Sequence, residues 1–465
     1  MITQNLVSVY CQPSATYDLD YIKKSVENIL IGLGLDKDNW GSSAWNPLSE
    51  LINPGDTVVL KPNLISHSHA TRESWEEVIT HPSIIFAITE YVYKALRGKG
   101  SIVITDGPQT SSDFEKISHH LRFNELMALY PNTPEFSLNV FDLRKERWIE
   151  QDGVIVKKVP LPGDKNGYSE IDLETSSEFV GHINNRKYYG AEYNYGQTQS
   201  VHSDTNNKYL ISSTVLDADV VINIPKFKTH KKAGLTLSLK NMVGINGDKN
   251  YLPHHTMGTP DQGGDEFEKS SVGNSFQGWL VRIYKRALTF FGGTGGVGAK
   301  LAIKLGYAIF GRTDNVIRSG NWYGNDTLWR MVLDLNKILF YYNASGKMLP
   351  SKRRYLTVID GIVAGENNGP SAPDRKECGL IIGGFNPVAA DMVAARIAGF
   401  DFRRIPTLNK AFEIQKLPLC QFKPSDITVT SNRDEFNDVI ENLPTLPMYR
   451  LQPHFGWKGH IELNK

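Results

Sequence analysis

A chain of 465 residues has room for two or three domains of roughly 150 residues each, so its stability requires no disulfide or metal staple. With 51 basic against 50 acidic residues and a formal net charge of +1, no whole-molecule field draws it to nucleic acid or to anionic lipid. Its three cysteines, Cys11, Cys378 and Cys420, are too scattered for a CxxC metal site or a disulfide framework, and the expected location is the cytoplasm: the start lacks a basic leader and an apolar signal core, and no run of about 18 apolar residues occurs.

The first legible strand is the β-branched run DTVVLKPNL, 56–64, which passes into a loop at Pro62. THPSIIFAITEYVYKALRGKG then predicts a helix, with Thr80 as N-cap, Pro82 in the first turn, and Gly98 and Gly100 as the stop. SIVITDGP, 101–108, is a second strand and completes a right-handed βαβ unit, which is the logic of a parallel sheet. Segment 131–213 reads differently, because short alternating runs such as VIVKKVPLP between polar turns predict an inserted antiparallel subdomain. Parallel-type signals resume in DADVVINIPKFK, YLTVIDGIV and CGLIIGGFNP, the last leading into a helix in which Asp391 is expected to favour the N-terminal dipole. The predicted class is α/β, with two lobes built on mostly parallel sheets and an inserted antiparallel β-rich subdomain. The expected division is a first lobe over 1–130, the insertion over 131–213, a central motif segment over 214–270, a helical region with a glycine hinge over 271–350, and a second lobe with the C-terminal tail over 351–465.

In open parallel sheets, ligands bind beyond the carboxyl ends of the strands, so polar residues placed just after apolar runs converge there. Here these are Lys61, Asn63, Asp106, Lys226, Lys228 and Asp360. The segment IPKFKTHKKAGLTLSLKNMVGINGDKNYLPHH, 224–255, adds six lysines and three histidines directly after a buried-looking strand. Its glycines at 234, 244 and 247 allow close backbone approach, and lysines set around such a backbone suit a phosphate or carboxylate.

Three other stretches carry alternatives. GWLVRIYKRALTFFGGTGGVGAKLAIKLGYAIFGR, 278–312, is apolar and basic at helical spacing, which fits a packed helix pair or peripheral contact with a membrane surface. Gly293, Gly295 and Gly298 inside it match G-x-G-x-x-G but follow a helical pattern, so they read as a hinge. GNWYGNDTLWRMVLDLNKIL, 320–339, is a loop entering a helix, with Asn325 shaping the turn, Asp326 as cap, and Arg330 either paired with Asp334 or clamping a carboxylate. DGIVAGENNGP offers Asp360 and Glu366 to a hard cation such as magnesium.

LKPN, the THP helix start, TDGP, INIPKFKTHKKAGLTLSLKNMVGI, GNWYGNDTLWRMVLDLNKIL, DGIVAGENNGP and NPVAADMVAARIAGFD occur in that order and together resemble the domain-of-unknown-function family 362, from about Asp56 to Asp401. Many members of that family carry ferredoxin-like cysteine motifs, and the resemblance by itself implies an iron–sulfur centre. A cluster needs four thiolates in most forms, so none is expected in this chain. His230, Ala233, Gly234 and Lys240 also follow the spacing H-x2-A-G-x5-K, which is similar to the core motif of the nickel-pincer lactate racemase family. That second resemblance implies His230 as acid/base, Lys240 as tether of a pincer cofactor, and His254 or His255 as nickel ligand. Between Gly234 and Lys240 the racemase pattern is glycine-rich where this chain has LTLSL, and TDGPQ lacks the second acid/base histidine.

The expected function is an enzyme acting on a small anionic metabolite, a hydroxy acid, sugar acid or phosphorylated compound, possessing racemase- or epimerase-like chemistry with a metal or pincer-type cofactor. His230, Lys240 and Asp106 carry the chemistry in this reading. Lys61, Asn63, Lys226, Lys228, Asn241, Asn325 and Arg330 bind substrate or cofactor, and His254, His255, Asp360 and Glu366 ligate a divalent metal, nickel or magnesium. Two alternatives stay open: a non-catalytic or redox accessory protein of the iron–sulfur type, and a magnesium-dependent phosphate-binding transferase using Asp106, Asp360 and Glu366. A homo-oligomer is compatible with either.

Overall fold

The computed structural model describes residues 2–151, 154–182, 187–192, 194–270 and 316–463. Its centre is a ten-stranded sheet, in the order Thr428–Ser431, Leu6–Cys11, Ala372–Gly384, Arg354–Asn368, Val220–Ile224, Thr57–Pro62, Gly100–Asp106, Phe136–Asp142. Lys226–His230 continues beside the far half of Arg354–Asn368 and carries the two-residue strand Gly234–Leu235 on its other side. Pairing is parallel from Arg354–Asn368 through to Phe136–Asp142, and antiparallel where Ala372–Gly384 meets its two neighbours. The expected α/β class with a mostly parallel sheet is therefore what the chain forms, and strands from its first and last segments are neighbours in one sheet.

The central strands alternate strictly between two cores. Val58, Leu60, Ile102, Ile104, Val220 and Ile222 face the helices Leu19–Gly32 and Pro82–Leu96, whereas Val59, Val103 and Val221 face the helices Leu328–Tyr341 and Pro387–Ile397. Both faces are covered, which explains why these strands read as continuous β-branched runs.

Several local expectations are corrected. CGLIIGGFNP lies in an antiparallel strand, because only three residues join Asn368 to Ala372 and a parallel return needs a crossover of a dozen or more. Phe136–Asp142 extends the main sheet in parallel, and the antiparallel pairs of the inserted region begin after it: Glu146–Gln151 with Val154–Pro160, Tyr168–Asp172 with Lys208–Ser212, and Tyr188–Gly190 with Pro253–Thr256. His81, not Thr80, caps the Pro82–Leu96 helix through its Nδ1, while the Thr80 hydroxyl donates to the Ile224 carbonyl. The glycine-rich stretch 278–312, with Gly293, Gly295 and Gly298, lies outside the described residues. No helix among the described residues is long and apolar enough to cross a membrane.

Candidate functional site

Strand ends Thr57–Pro62, Gly100–Asp106 and Lys226–His230 meet the turn 236–249 around a cavity of about 50 Å³. Asn63, Ile65, Asp106, Gly107, His230, Thr236, Lys240, Asn241, Val243, Gly244, Lys249 and Pro370 line it. Five of the residues expected from sequence, Asn63, Asp106, His230, Lys240 and Asn241, are thus brought together.

The wall toward the sheet is an ion pair. Lys61 Nζ lies 2.7 Å from Asp106 Oδ1 with both side chains buried, and it also donates to the Pro62 carbonyl at 3.0 Å. Burial lowers the Lys61 pKa, and Asp106 opposes that shift. Asp106 is held in turn by the backbone N–H groups of Gly107, at 2.8 Å, and Leu64, at 2.7 Å. Gly244 passes so close that a Cβ there would stand 1.8 Å from Asp106 Oδ1, so glycine is required by packing. Gly107 N–H donates to the Gly244 carbonyl at 2.8 Å and ties the two loops together.

A chain of amides sets the floor. Asn241 Nδ2 donates to the Lys61 carbonyl at 3.0 Å and to Asn223 Oδ1 at 2.7 Å, which leaves Asn241 Oδ1 as the acceptor of Asn63 Nδ2 at 3.0 Å. The orientation of Asn63 follows, and its Oδ1 is buried with no partner among the described residues. Thr236 Oγ1 is a second buried polar atom without one. Buried oxygens of this kind are uncommon in folded proteins, and two of them border this one cavity.

The turn carrying Lys240 and Asn241 is strained and then clamped. Leu237 precedes the short helix Ser238–Asn241 with φ 55° and ψ −161°, a positive-φ extended conformation that glycine fills most readily. Asp391, in the interior of the Pro387–Ile397 helix, accepts from Ser238 N–H and Leu239 N–H at 2.8 Å each. Its expected role at its own helix terminus is thereby corrected: it caps a neighbouring helix, and burial pushes its carboxyl up to about 7.

Around this frame the basic groups divide. His230 Nδ1 accepts from Lys232 N–H and Ala233 N–H at 3.1 Å each, so in the neutral ring Nε2 carries the hydrogen. Burial, then the charge of Lys240, holds its pKa well below the usual range, and the ring is neutral at physiological pH. Lys249 Nζ donates to the Gly107 carbonyl at 2.7 Å, and burial lowers its pKa to about 8. Burial and the charges of Lys249 and Lys61 lower Lys240 to about 7, and its Nζ makes no hydrogen bond or ion pair among the described residues.

The remaining expected residues lie outside the lining. Lys226 Nζ pairs with Asp360 Oδ2 at 2.9 Å and donates to the Tyr17 hydroxyl at 2.7 Å, with Asp360 also accepting from His81 N–H. Lys228 Nζ donates to the carbonyls of Val78 and Pro370, the latter at 3.0 Å, and burial lowers its pKa strongly. Glu366 accepts from Gln452 N–H at 2.8 Å. His254 Nδ1 donates to the Leu252 carbonyl at 2.9 Å, and the His255 ring stacks on Tyr189 at 4.7 Å. Asn325 Oδ1 accepts from Thr327 N–H and Leu328 N–H, so Asn325, not Asp326, caps the Leu328–Tyr341 helix. Arg330 reaches back to Asp326 Oδ2 at 2.8 Å and to the Glu178 carbonyl at 2.6 Å, whereas Asp334 accepts from the Tyr209 and Ser177 hydroxyls. The expected Arg330–Asp334 pair is corrected accordingly, the helix placing Asp334 on its buried side. Among the described residues no three His, Cys, Asp or Glu side chains are grouped to hold a metal ion.

Sequence reasoning missed Thr236 and Lys249 as lining residues. Lys249 was one of six lysines in a dense segment, and nothing in its spacing marked it out; Thr236 carried no signal at all.

The family model described as Domain of unknown function (DUF362) matches residues 58–167 and 163–396. A thylakoid-associated protein of Synechocystis is 22% identical over 361 residues, which cover 78% of this chain and 68% of that protein. A crystal structure of a Thermotoga maritima protein aligns over 78% of this chain at 10% identity with a TM-score of 0.30, and the chain spans about half, 55%, of that protein's length.

Proposed function

Because the chain belongs to the domain-of-unknown-function family 362, whose description states no reaction, we propose its activity from the cavity: an enzyme that binds a small organic anion and moves a proton on it through Lys240. The observation that carries this reading is the meeting of two unpartnered buried oxygens, Asn63 Oδ1 and Thr236 Oγ1, with two lysines whose charged forms burial disfavours. An anion offsets that burial and restores charge to the lysines, while its own hydroxyl or carboxyl satisfies the oxygens.

In this reading Lys249, fixed through Gly107, holds the anionic head as a point charge, and the Nε2–H of neutral His230 donates to it. Lys240, with a pKa of about 7, exchanges a proton with the substrate near neutrality, where such a group is most effective. His230 is then a hydrogen-bond donor and not the acid/base that its spacing suggested, because its Nδ1 is already committed to two backbone N–H groups. Lys226, Lys228, Asp360 and Glu366 hold the loops in place, and no step of this reading passes through a metal. The enzyme works in the cytoplasm in this account; the thylakoid association is carried by the name of the Synechocystis protein.

Thermal-shift titration with lactate, gluconate and phosphate tests the reading, alongside NMR detection of deuterium uptake at the carbon next to the carboxylate. Stabilisation by at least one small anion, lost in Lys249→Met, is expected, with exchange lost in Lys240→Met. Absence of both stabilisation and exchange across the panel would sink it. Intact mass of the untreated protein should show Lys240 as a free amine; a native adduct there would replace this account with the tethered-cofactor one.

A further inference from the structure

Lys240 stands apart from the other lysines at this end of the sheet. Of the lysines whose partners are known at this end of the sheet, Lys61 is bound to Asp106, Lys226 to Asp360 and Tyr17, Lys228 to two carbonyls and Lys249 to Gly107. Lys240 differs from these four in that its Nζ reaches no acceptor among the described residues, although it borders the same cavity as the two unpartnered oxygens. A lysine serving only as a point charge is best placed against an acceptor or open water. One that lines a narrow cavity without an acceptor is placed for bond formation.

The size of the space and its lining narrow the partner. About 50 Å³ admits a few heavy atoms, since a single water needs about 10–15 Å³ by the same measure. The lining supplies a cation in Lys249, a donor in neutral His230, and in Asn63 Oδ1 an acceptor that requires a hydroxyl or N–H from the ligand. A carboxylate next to a carbonyl meets the first two demands, and the hydroxyl that forms when an amine adds to that carbonyl meets the third, whereas a bulky phosphorylated compound exceeds the space.

Resting on the anion-binding reading above, we infer that Lys240 is a nucleophile that forms an imine with the carbonyl carbon of a small 2-oxo acid whose carboxylate is held by Lys249. The lone pair of the neutral amine forms the C–N bond as the carbonyl π bond opens, giving a carbinolamine whose new hydroxyl donates to Asn63 Oδ1. The C–O bond then breaks, both former N–H protons depart with the oxygen as water, and the nitrogen lone pair closes the C=N bond. Nothing is oxidised or reduced. The lowered pKa of Lys240, about 7, keeps a large share of the amine neutral at physiological pH.

Incubating the full chain with pyruvate and sodium cyanoborohydride, followed by intact mass and peptide mapping, tests the inference. One irreversible addition is expected, mapped to Lys240 and dependent on both reagents, with a yield that rises with pH through about 7. Acetone, which has the carbonyl without the carboxylate, should label at least about tenfold less, the loss corresponding to one charged hydrogen bond. Absence of an adduct, or labelling spread over exposed lysines with Lys240 no more reactive than they are, overturns the inference, and so does undiminished labelling in Lys240→Gln. Should that variant fail to fold, the peptide map of the unaltered protein decides. A parallel thermal shift with lactate separates the two claims: stabilisation without an adduct removes the imine and leaves the anion cavity, while neither signal removes both.

Discussion

Gly244 shows how little freedom the site has at single positions. Its missing side chain is the space that Asp106 and Lys61 occupy, since a Cβ would stand 1.8 Å from the carboxylate and 2.9 Å from the ammonium. Gly244→Ala should therefore split a buried ion pair, at a cost of about 3–5 kcal/mol in urea unfolding, and abolish the thermal response to small anions. A variant as stable as the parent, with its anion response intact, would show that the pair tolerates displacement. The sequence marked Gly244 as a place for close backbone approach to a ligand, whereas what approaches it is the Lys61–Asp106 pair; Asn63, Asp106, His230 and Lys240 were legible as residues of this region, because polar residues that follow buried strands have few other places to go. What could not be read is where each side chain points. Lys226, Lys228 and Lys240 look alike in a lysine-rich segment, yet two are tied to acceptors and one is not, a difference set by contacts with residues such as Val78, Asp360 and Pro370 that are remote in sequence.

Among the local elements, the turn at Leu237 carries the strain that places Lys240. Its φ of 55° is adopted by a buried leucine, and the two hydrogen bonds to Asp391 hold the turn against relaxation. Leu237→Gly and Leu237→Ala both lose the buried side chain, but only glycine relieves the backbone. The glycine variant should be the more stable of the two by about 1–2 kcal/mol, the reverse of the usual ranking. Equal stabilities, or alanine ahead, would mean that the turn is unstrained. Strands and long helices were readable here because periodicity reports burial directly. Caps were less so: His81 displaced Thr80, and Asn325 displaced Asp326, since several polar residues stand near each helix start and the tertiary partner of each decides which one turns inward. Asp391 was misplaced for a related reason, because an acid within a helix gives no sign in sequence that it caps a different one.

Across the whole molecule, several buried histidines are held neutral well below their usual range. Burial lowers His202 to about 4 despite a hydrogen bond to the Tyr251 carbonyl, lowers His454 to about 4, and lowers His81 to about 3. The unfolded chain protonates such groups near pH 6.5, as free histidine does, whereas the folded chain resists until well below that. The part of the stability that rests on these histidines is thus full above about pH 6.5 and is lost as pH drops toward about 4, His202 alone contributing on the order of 3 kcal/mol to that loss, whereas the raised carboxyl of Asp391 changes in the opposite sense. Urea midpoints measured against pH should show this acid limb, and His202→Gln should make it shallower; a limb of unchanged steepness would assign the loss to carboxylates instead. The α/β class and the mostly parallel sheet were legible because both faces of the central strands are apolar. The long hairpin Arg354–Asn368 and Ala372–Gly384 was not, because a strand buried on both faces reads the same whichever way it runs.

One backbone contact offers a gauge of the site in motion. Gly107 N–H reaches the Gly244 carbonyl at 2.8 Å, so the amide of a residue in the first quarter of the chain is sealed by one from its middle. Its proton, which the Asp106 carboxylate also accepts, can trade places with solvent deuterium only when those loops part and that second bond opens with them. The exchange rate of this single glycine amide is accordingly a clock for breathing at the mouth of the cavity, readable without a dye, a substrate or a mutation.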